Sequence, residues 1–317
     1  MDAITIKPVT TEPIVKLLSE AAPNLVTELN EMFGRLNPKF VADTETEELV
    51  FNATPGINQI LIGMKCTVRL QAHAVAAGLV YSGLVSNALE RIDKEEMKRR
   101  FGLADQMLNW AVGRDLFQHL KFDPTIAAQL GGVFKGSTEQ LAPPIMGQVD
   151  KQSKGFADNY FYFASAFILL HELAHLELKH VFKDGFWSLQ QERDADWFAL
   201  DWLLKGNNGQ RRTIALYGAA VALIWLTMQN IFIGENKNDK RPVTHPKSYD
   251  RLFQNLDRAI GLSRTPEYGF VWDFVRQMLF IHMAAAKFEF DPTEFQSDDP
   301  RQEVVMLIDK ISRRTAS

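Results

Sequence analysis

Asn159-Tyr160-Phe161-Tyr162-Phe163-Ala164-Ser165-Ala166-Phe167-Ile168-Leu169-Leu170-His171-Glu172-Leu173-Ala174-His175 is the stretch that decides how the rest of the chain reads. From Asn159 to Leu170 it carries no charge and is apolar nearly all round, the pattern of a helix buried on every side. Two histidines then fall at i and i+4, so both imidazoles leave the same helix face and can reach one tetrahedral zinc ion. Glu172 lies one residue past the first of them. There it can touch a water in the open position of such an ion, take its proton, and later return it to a leaving amine. Two histidines and a carboxylate buried without partners would be costly, whereas a metal ion satisfies them. The spacing predicts a helix over about 156–182, with His171 and His175 as metal ligands and Glu172 as the general base.

A site with two histidine ligands needs a third protein ligand and one open position. Glu192-Arg193-Asp194-Ala195-Asp196 follows on the next expected helix, about 188–204, which Gly206-Asn207-Asn208-Gly209 should stop. Glu192 and Asp196 are again i and i+4. One of them can bind the ion while the other accepts a hydrogen bond from a ligand histidine, and spacing alone leaves open which does which. Ala195 and Ala199 would let this helix approach the first closely. A further donor for the developing oxyanion should come from outside these helices. His245, in a polar loop and held extended by Pro246, is the candidate, with Arg251 placed to pair with an acidic residue and fix the loop. A helix start at Thr244-His245-Pro246 is the competing reading of those residues.

Other polar residues carry less. On a continuous helix His180 would lie roughly 140° round from His175, away from the same ion. His73 falls on a polar stripe with Lys65 and Arg69, while His119 and His282 sit in helical surroundings as structural or surface residues. Cys66, the one cysteine, reads as a small core residue; it cannot form an intrachain disulfide or a thiolate zinc cluster, which fits a reducing compartment.

The pairing of His171-Glu-Leu-Ala-His175 with Glu192-Arg-Asp-Ala-Asp196 resembles the gluzincin metallopeptidases. That resemblance implies a zincin-like core with an active-site helix, zinc on His171, His175 and Glu192, and Asp196 supporting a histidine from behind. Thr244-His245-Pro246-Lys247-Ser248-Tyr249-Asp250-Arg251 is similar to a stretch of the HtpX-like and prenyl-protein endopeptidases, which are integral membrane proteins. In size and composition the chain resembles instead the phage-exclusion peptidase Lit family. This implies a cytoplasmic, sequence-selective endopeptidase that cleaves a folded host protein, a translation factor (elongation factor Tu) in that family, as part of bacterial phage defence. A zinc-site regulator with little basal turnover, a membrane-associated protease and a hydrolase of another amide are the rival readings.

Composition sets the frame. The chain has 317 residues, 46% of them hydrophobic and 23% charged, as in ordinary globular proteins, and length allows one large domain or two. A net charge of −4 without any long run of Lys and Arg argues against nucleic acid as a partner. No secretory layout opens the sequence. From Thr213 to Gly234 there is no charge, but the strongly apolar part spans only Ile214 to Leu226, the length of a buried helix, and no membrane contact is expected.

The glycine- and proline-rich stretch from Gly131 to Lys154 reads as the boundary between an N-terminal, mainly helical region (1–150) and a zinc metallopeptidase domain (151–317), or equally as a loop folded over the active site. Residues 1–45, punctuated by four prolines, suggest short helices; strands are expected near 49–51 and 57–62, and helices near 65–92, 104–120, 213–233, 247–260, 266–288 and 300–314. The expected class is α+β, predominantly helical.

Overall fold

The computed structural model describes residues 6–43, 51–112, 144–181, 187–229, 248–261, 266–285, 287 and 291–316. Strands β1 (Ile6–Val9), β2 (Lys39–Asp43), β3 (Phe51–Thr54) and β4 (Gln59–Gly63) make one four-stranded sheet in the order β1-β2-β4-β3. β2 runs parallel to β4, from Lys39 opposite Gln59 to Asp43 opposite Gly63, and the outer pairs are antiparallel. Helices α1 (Thr11–Ala21) and α2 (Val26–Leu36) bridge β1 and β2. The remaining described helices are α3 (Met64–Ala88), α4 (Lys94–Val112), α5 (Lys151–Glu177), α6 (Leu189–Lys205), α7 (Gly209–Gln229), α8 (Ser248–Ile260), α9 (Pro266–Ala285) and α10 (Pro300–Ala316). The class is α+β and predominantly helical.

The N-terminal segment differs from the expectation of helices alone, because β1 and β2 flank the two short helices. Ile6–Val9 and Lys39–Asp43 are too short to show a period of their own; pairing with β4 makes them strands. α4 also starts ten residues before the expected 104, after Asp93, whose carboxylate accepts from the Glu96 N–H at 2.8 Å and so caps the helix. Residues 113–143, which hold most of the expected boundary loop, lie outside the described residues.

α5 is the axis of the molecule. Phe161, Phe163 and Phe167 are fully buried on it, each stabilising the fold by about 1.5–3 kcal/mol. α3 and α7 close on it where they carry no side chain. A Cβ at Gly78 would stand 2.5 Å from the Ser153 carbonyl oxygen, and one at Gly218 would stand 2.3 Å from the Phe163 Cβ. Any larger residue at either point would push a helix off α5. One apolar cluster runs from Val9 in β1 to Ile311 in α10, so residues on both sides of position 150 share a core. Among the described residues no helix is long and apolar enough to cross a membrane.

His73 on α3 and His282 on α9 meet inside this core, ring centroids 4.9 Å apart and planes 28° from parallel. The Nδ1 of His73 donates to the Arg69 carbonyl at 2.7 Å, and among the described residues neither Nε2 has a hydrogen-bond partner. Burial pushes the pKa of His73 down to about 4, the nearby Arg69 charge adding to it, and burial also pulls His282 well below the usual range. Both rings are neutral in the fold and protonate on unfolding, so stability falls as pH drops from 6.5 towards 4. His73 alone should account for about 3 kcal/mol of that loss. Urea unfolding of a His73→Phe, His282→Phe double variant should show a flatter dependence through this window than wild type. Equal slopes would show that the pair does not titrate as described.

Candidate metal centre

α5 carries His171 and His175 on one face, as expected, but it ends at Glu177 rather than near 182. The next helix begins where its caps dictate. The Ser188 side chain accepts from the Gln191 N–H at 3.2 Å, and the Gln191 side chain accepts from the Ser188 N–H at 2.8 Å. This capping box puts Glu192 in the first turn of α6, where the helix dipole favours a negative charge. Ala195 and Ala199 are fully buried, letting α6 lie close to α5.

The result is a buried cluster. The Nε2 atoms of His171 and His175 are 3.2 Å apart, Glu192 Oε2 is 3.5 Å from the first, and Glu192 Oε1 is 3.8 Å from the second. His171, His175 and Glu192 each offer one ligand atom within 4.8 Å of the others, a set that could hold a metal ion. His171 is 7%, His175 0% and Glu192 1% exposed, so two ring nitrogens and a carboxylate converge away from water, where a cation is the group that suits all three.

Asp196 stands behind His171, its Oδ1 2.9 Å from Nδ1, and through that contact and its charge it favours the protonated ring nitrogen. Arg251, one turn into α8, donates to both Asp196 oxygens at 2.7 and 2.6 Å, and its third nitrogen comes within 3.5 Å of Glu192. Asn255 adds a longer bond to Asp196 at 3.3 Å. The acidic partner expected for Arg251 is thus Asp196, with Glu192 beside it. His245 lies outside the described residues.

Electrostatics follow from this cage. Burial would lower His171, but the Asp196 and Glu192 carboxylates outweigh it and raise its pKa. Burial and then the His171 charge hold His175 down. Burial favours protonated Asp196, yet Arg251 overrides it and brings the carboxyl to about 2. Glu172, 6% exposed, is raised to about 6 by burial, against the charge of His171.

Three contacts here were not readable in the sequence. The backbone of Ala53, in edge strand β3, lies against the Glu172 carboxylate and favours its charged form. His180 lies with its Nδ1 2.9 Å from the Nδ1 of His175, although helical rotation placed it elsewhere. Trp187 stacks on the His175 ring with centroids 4.1 Å apart and planes 17° from parallel.

Residues 123–274 match the family model described as Peptidase U49. The chain is also 31% identical over 118 residues to a cell death peptidase of Escherichia coli (strain K12). That alignment covers 35% of this chain and 36% of the relative, so the chain matches just over a third of that protein's length. No solved structure matches the chain. His171, Glu172, His175, Glu192, Asp196 and Arg251 all fall between residues 123 and 274, and it is over this segment that the chain carries the Peptidase U49 match.

Proposed function

We propose that the protein is a zinc-dependent endopeptidase, and the observation that carries this is the close convergence of two histidine nitrogens and the Glu192 carboxylate. A tetrahedral zinc ion with bonds of about 2.0–2.1 Å has ligand–ligand edges of about 3.3–3.4 Å. Here the two ring nitrogens are 3.2 Å apart, and the Glu192 carboxylate comes within 3.5 Å of the first through Oε2 and 3.8 Å of the second through Oε1. His171, His175 and Glu192 would hold the ion and leave one position open. Bound there, zinc would polarise the scissile carbonyl and acidify a water in that position.

The chain's own residues supply the rest. Glu172 takes the proton from the attacking water and delivers it to the amine that leaves; burial raises its proton affinity toward that task. Asp196, held by Arg251, keeps the His171 ring turned so that Nε2 faces the cluster. β3 is an edge strand of the described sheet and Ala53 borders Glu172, so a substrate segment added to that edge would pass the site. His245 is the proposed oxyanion donor; a His245→Phe variant should lose about 10²–10³-fold in kcat, and activity within a few-fold of wild type would remove it.

The similarity to a cell death peptidase supports a substrate that is itself a protein, in our reading a translation factor cleaved inside the cell during phage defence. The test is metal analysis of purified protein, with proteomic mapping of the termini produced by zinc-loaded and chelator-stripped enzyme in a bacterial lysate. Stoichiometric zinc and termini that vanish with the metal are expected. Absence of zinc, or no new termini from the loaded protein, would overturn the reading.

A further inference from the structure

The apolar pattern of α5 runs on past His175, yet the helix stops within a turn. Leu178 N–H donates to the Ala174 carbonyl at 2.9 Å, Lys179 N–H to that of Leu176 at 3.2 Å, and His180 N–H to that of His175 at 3.0 Å. The last two bonds are those of a Schellman end, in which one residue takes the left-handed conformation and the next folds back over the last turn. Glycine is the usual occupant of the left-handed position; here it is Lys179, with φ 53°. A side chain held there costs roughly 1–2 kcal/mol, and such local strain tends to collect at functional sites.

In a Schellman end the residue after the left-handed one packs on the residue three before the cap, and that pair is commonly apolar. In this chain the pair is His180 on His175, meeting nitrogen to nitrogen, Nδ1 to Nδ1, at 2.9 Å. The other nitrogen of His175 faces His171 and Glu192. A ligand nitrogen must present its lone pair, so the proton of His175 belongs on Nδ1 and His180 Nδ1 must accept it. Trp187, stacked on the ring face, limits tilt, while His180 opposes a flip about the ring axis.

We propose that His180 is a positioning residue for the metal centre, fixing the tautomer and ring orientation of His175 as Asp196 does for His171. It does so as a neutral group, adding no further negative charge to a cage that already holds Glu172, Glu192 and Asp196. The inference rests on the reading of the cluster as a zinc site.

The test compares zinc dissociation constants, by competition with a chromophoric chelator, for wild type and for His180→Phe, His180→Asn and Lys179→Gly. His180→Phe keeps a ring but no acceptor and should weaken zinc by about 10–100-fold, the usual loss when a supporting partner of a ligand is removed. His180→Asn, whose carbonyl can accept, should restore most of that affinity. Lys179→Gly should raise the melting temperature without changing zinc binding. Should His180→Phe fail to fold, nitrogen-15 NMR of the zinc-loaded wild type reads the tautomers directly, with His175 expected as Nδ1–H and His180 as Nε2–H. A His180 Nδ1–H tautomer, or a His180→Phe affinity within about twofold of wild type, would overturn the assignment. Wild type that binds no zinc would instead sink the zinc reading on which it stands.

Discussion

Glu172→Gln is expected to keep the fold and the bound zinc while lowering peptidase turnover by about 10²–10⁴-fold, the contribution of a well-placed general base. The amide has nearly the same shape, can still sit against the Ala53 backbone, and cannot hold the water's proton. Since the carboxyl, raised to about 6 by burial in the metal-free site, must be ionised to act as a base, wild-type kcat/KM should show an acid limb. A bound cation would move the acid limb lower, because positive charge favours the carboxylate. The variant should lose the limb along with the activity. Loss of zinc from Glu172→Gln would show that Glu172 ligates, and turnover within a few-fold of wild type would remove it as the base.

Glu192, Asp196 and Arg251 should separate cleanly in the same assays. Glu192→Ala takes away one of three protein ligands and should leave no stoichiometric zinc. Asp196→Asn should retain zinc with affinity weakened by about 10–100-fold, since it stands behind a ligand. If these two effects come out in the opposite order, Asp196 is the ligand and Glu192 its support. Arg251→Leu tests the fold more than the metal. Asp196 is 0% exposed and takes two bonds from Arg251, so removing the guanidinium strands a buried charge and should cost about 3–5 kcal/mol. Adding Asp196→Asn to Arg251→Leu should recover much of that stability, as the stranded charge is then gone. Chemical denaturation of the three variants provides the measurement, and an Arg251→Leu protein as stable as wild type would mean the pair is solvated.

How much of this site can be read from sequence depends on how local its geometry is. His171 with His175, and Glu192 with Asp196, are legible because four residues on a helix is a fixed rotation. The start of α6 is legible too, since Ser188 and Gln191 cap it within four residues. His180 is the instructive miss. Its expected position follows from rotating a helix that continues, but the chain turns left-handed at Lys179, and no glycine marks the place. The contact of the Ala53 backbone with Glu172 spans more than a hundred residues and involves no side chain of Ala53, so no motif could announce it. β1 and β2 were missed for the same kind of reason: each is a strand because of a partner distant in sequence.

The Ala53 contact has a consequence for how this protein can drift in evolution. A backbone donor survives almost any substitution at its own position, proline excepted, so the letter at 53 is free to vary within the room its buried side chain allows. Length is the constrained quantity. Inserting or deleting one residue in β3 would turn alternate N–H groups to the other edge and take this donor away from the carboxylate. Relatives should therefore tolerate changes of identity along Phe51–Thr54 far better than changes of length, and a search for invariant residues would pass over this part of the site.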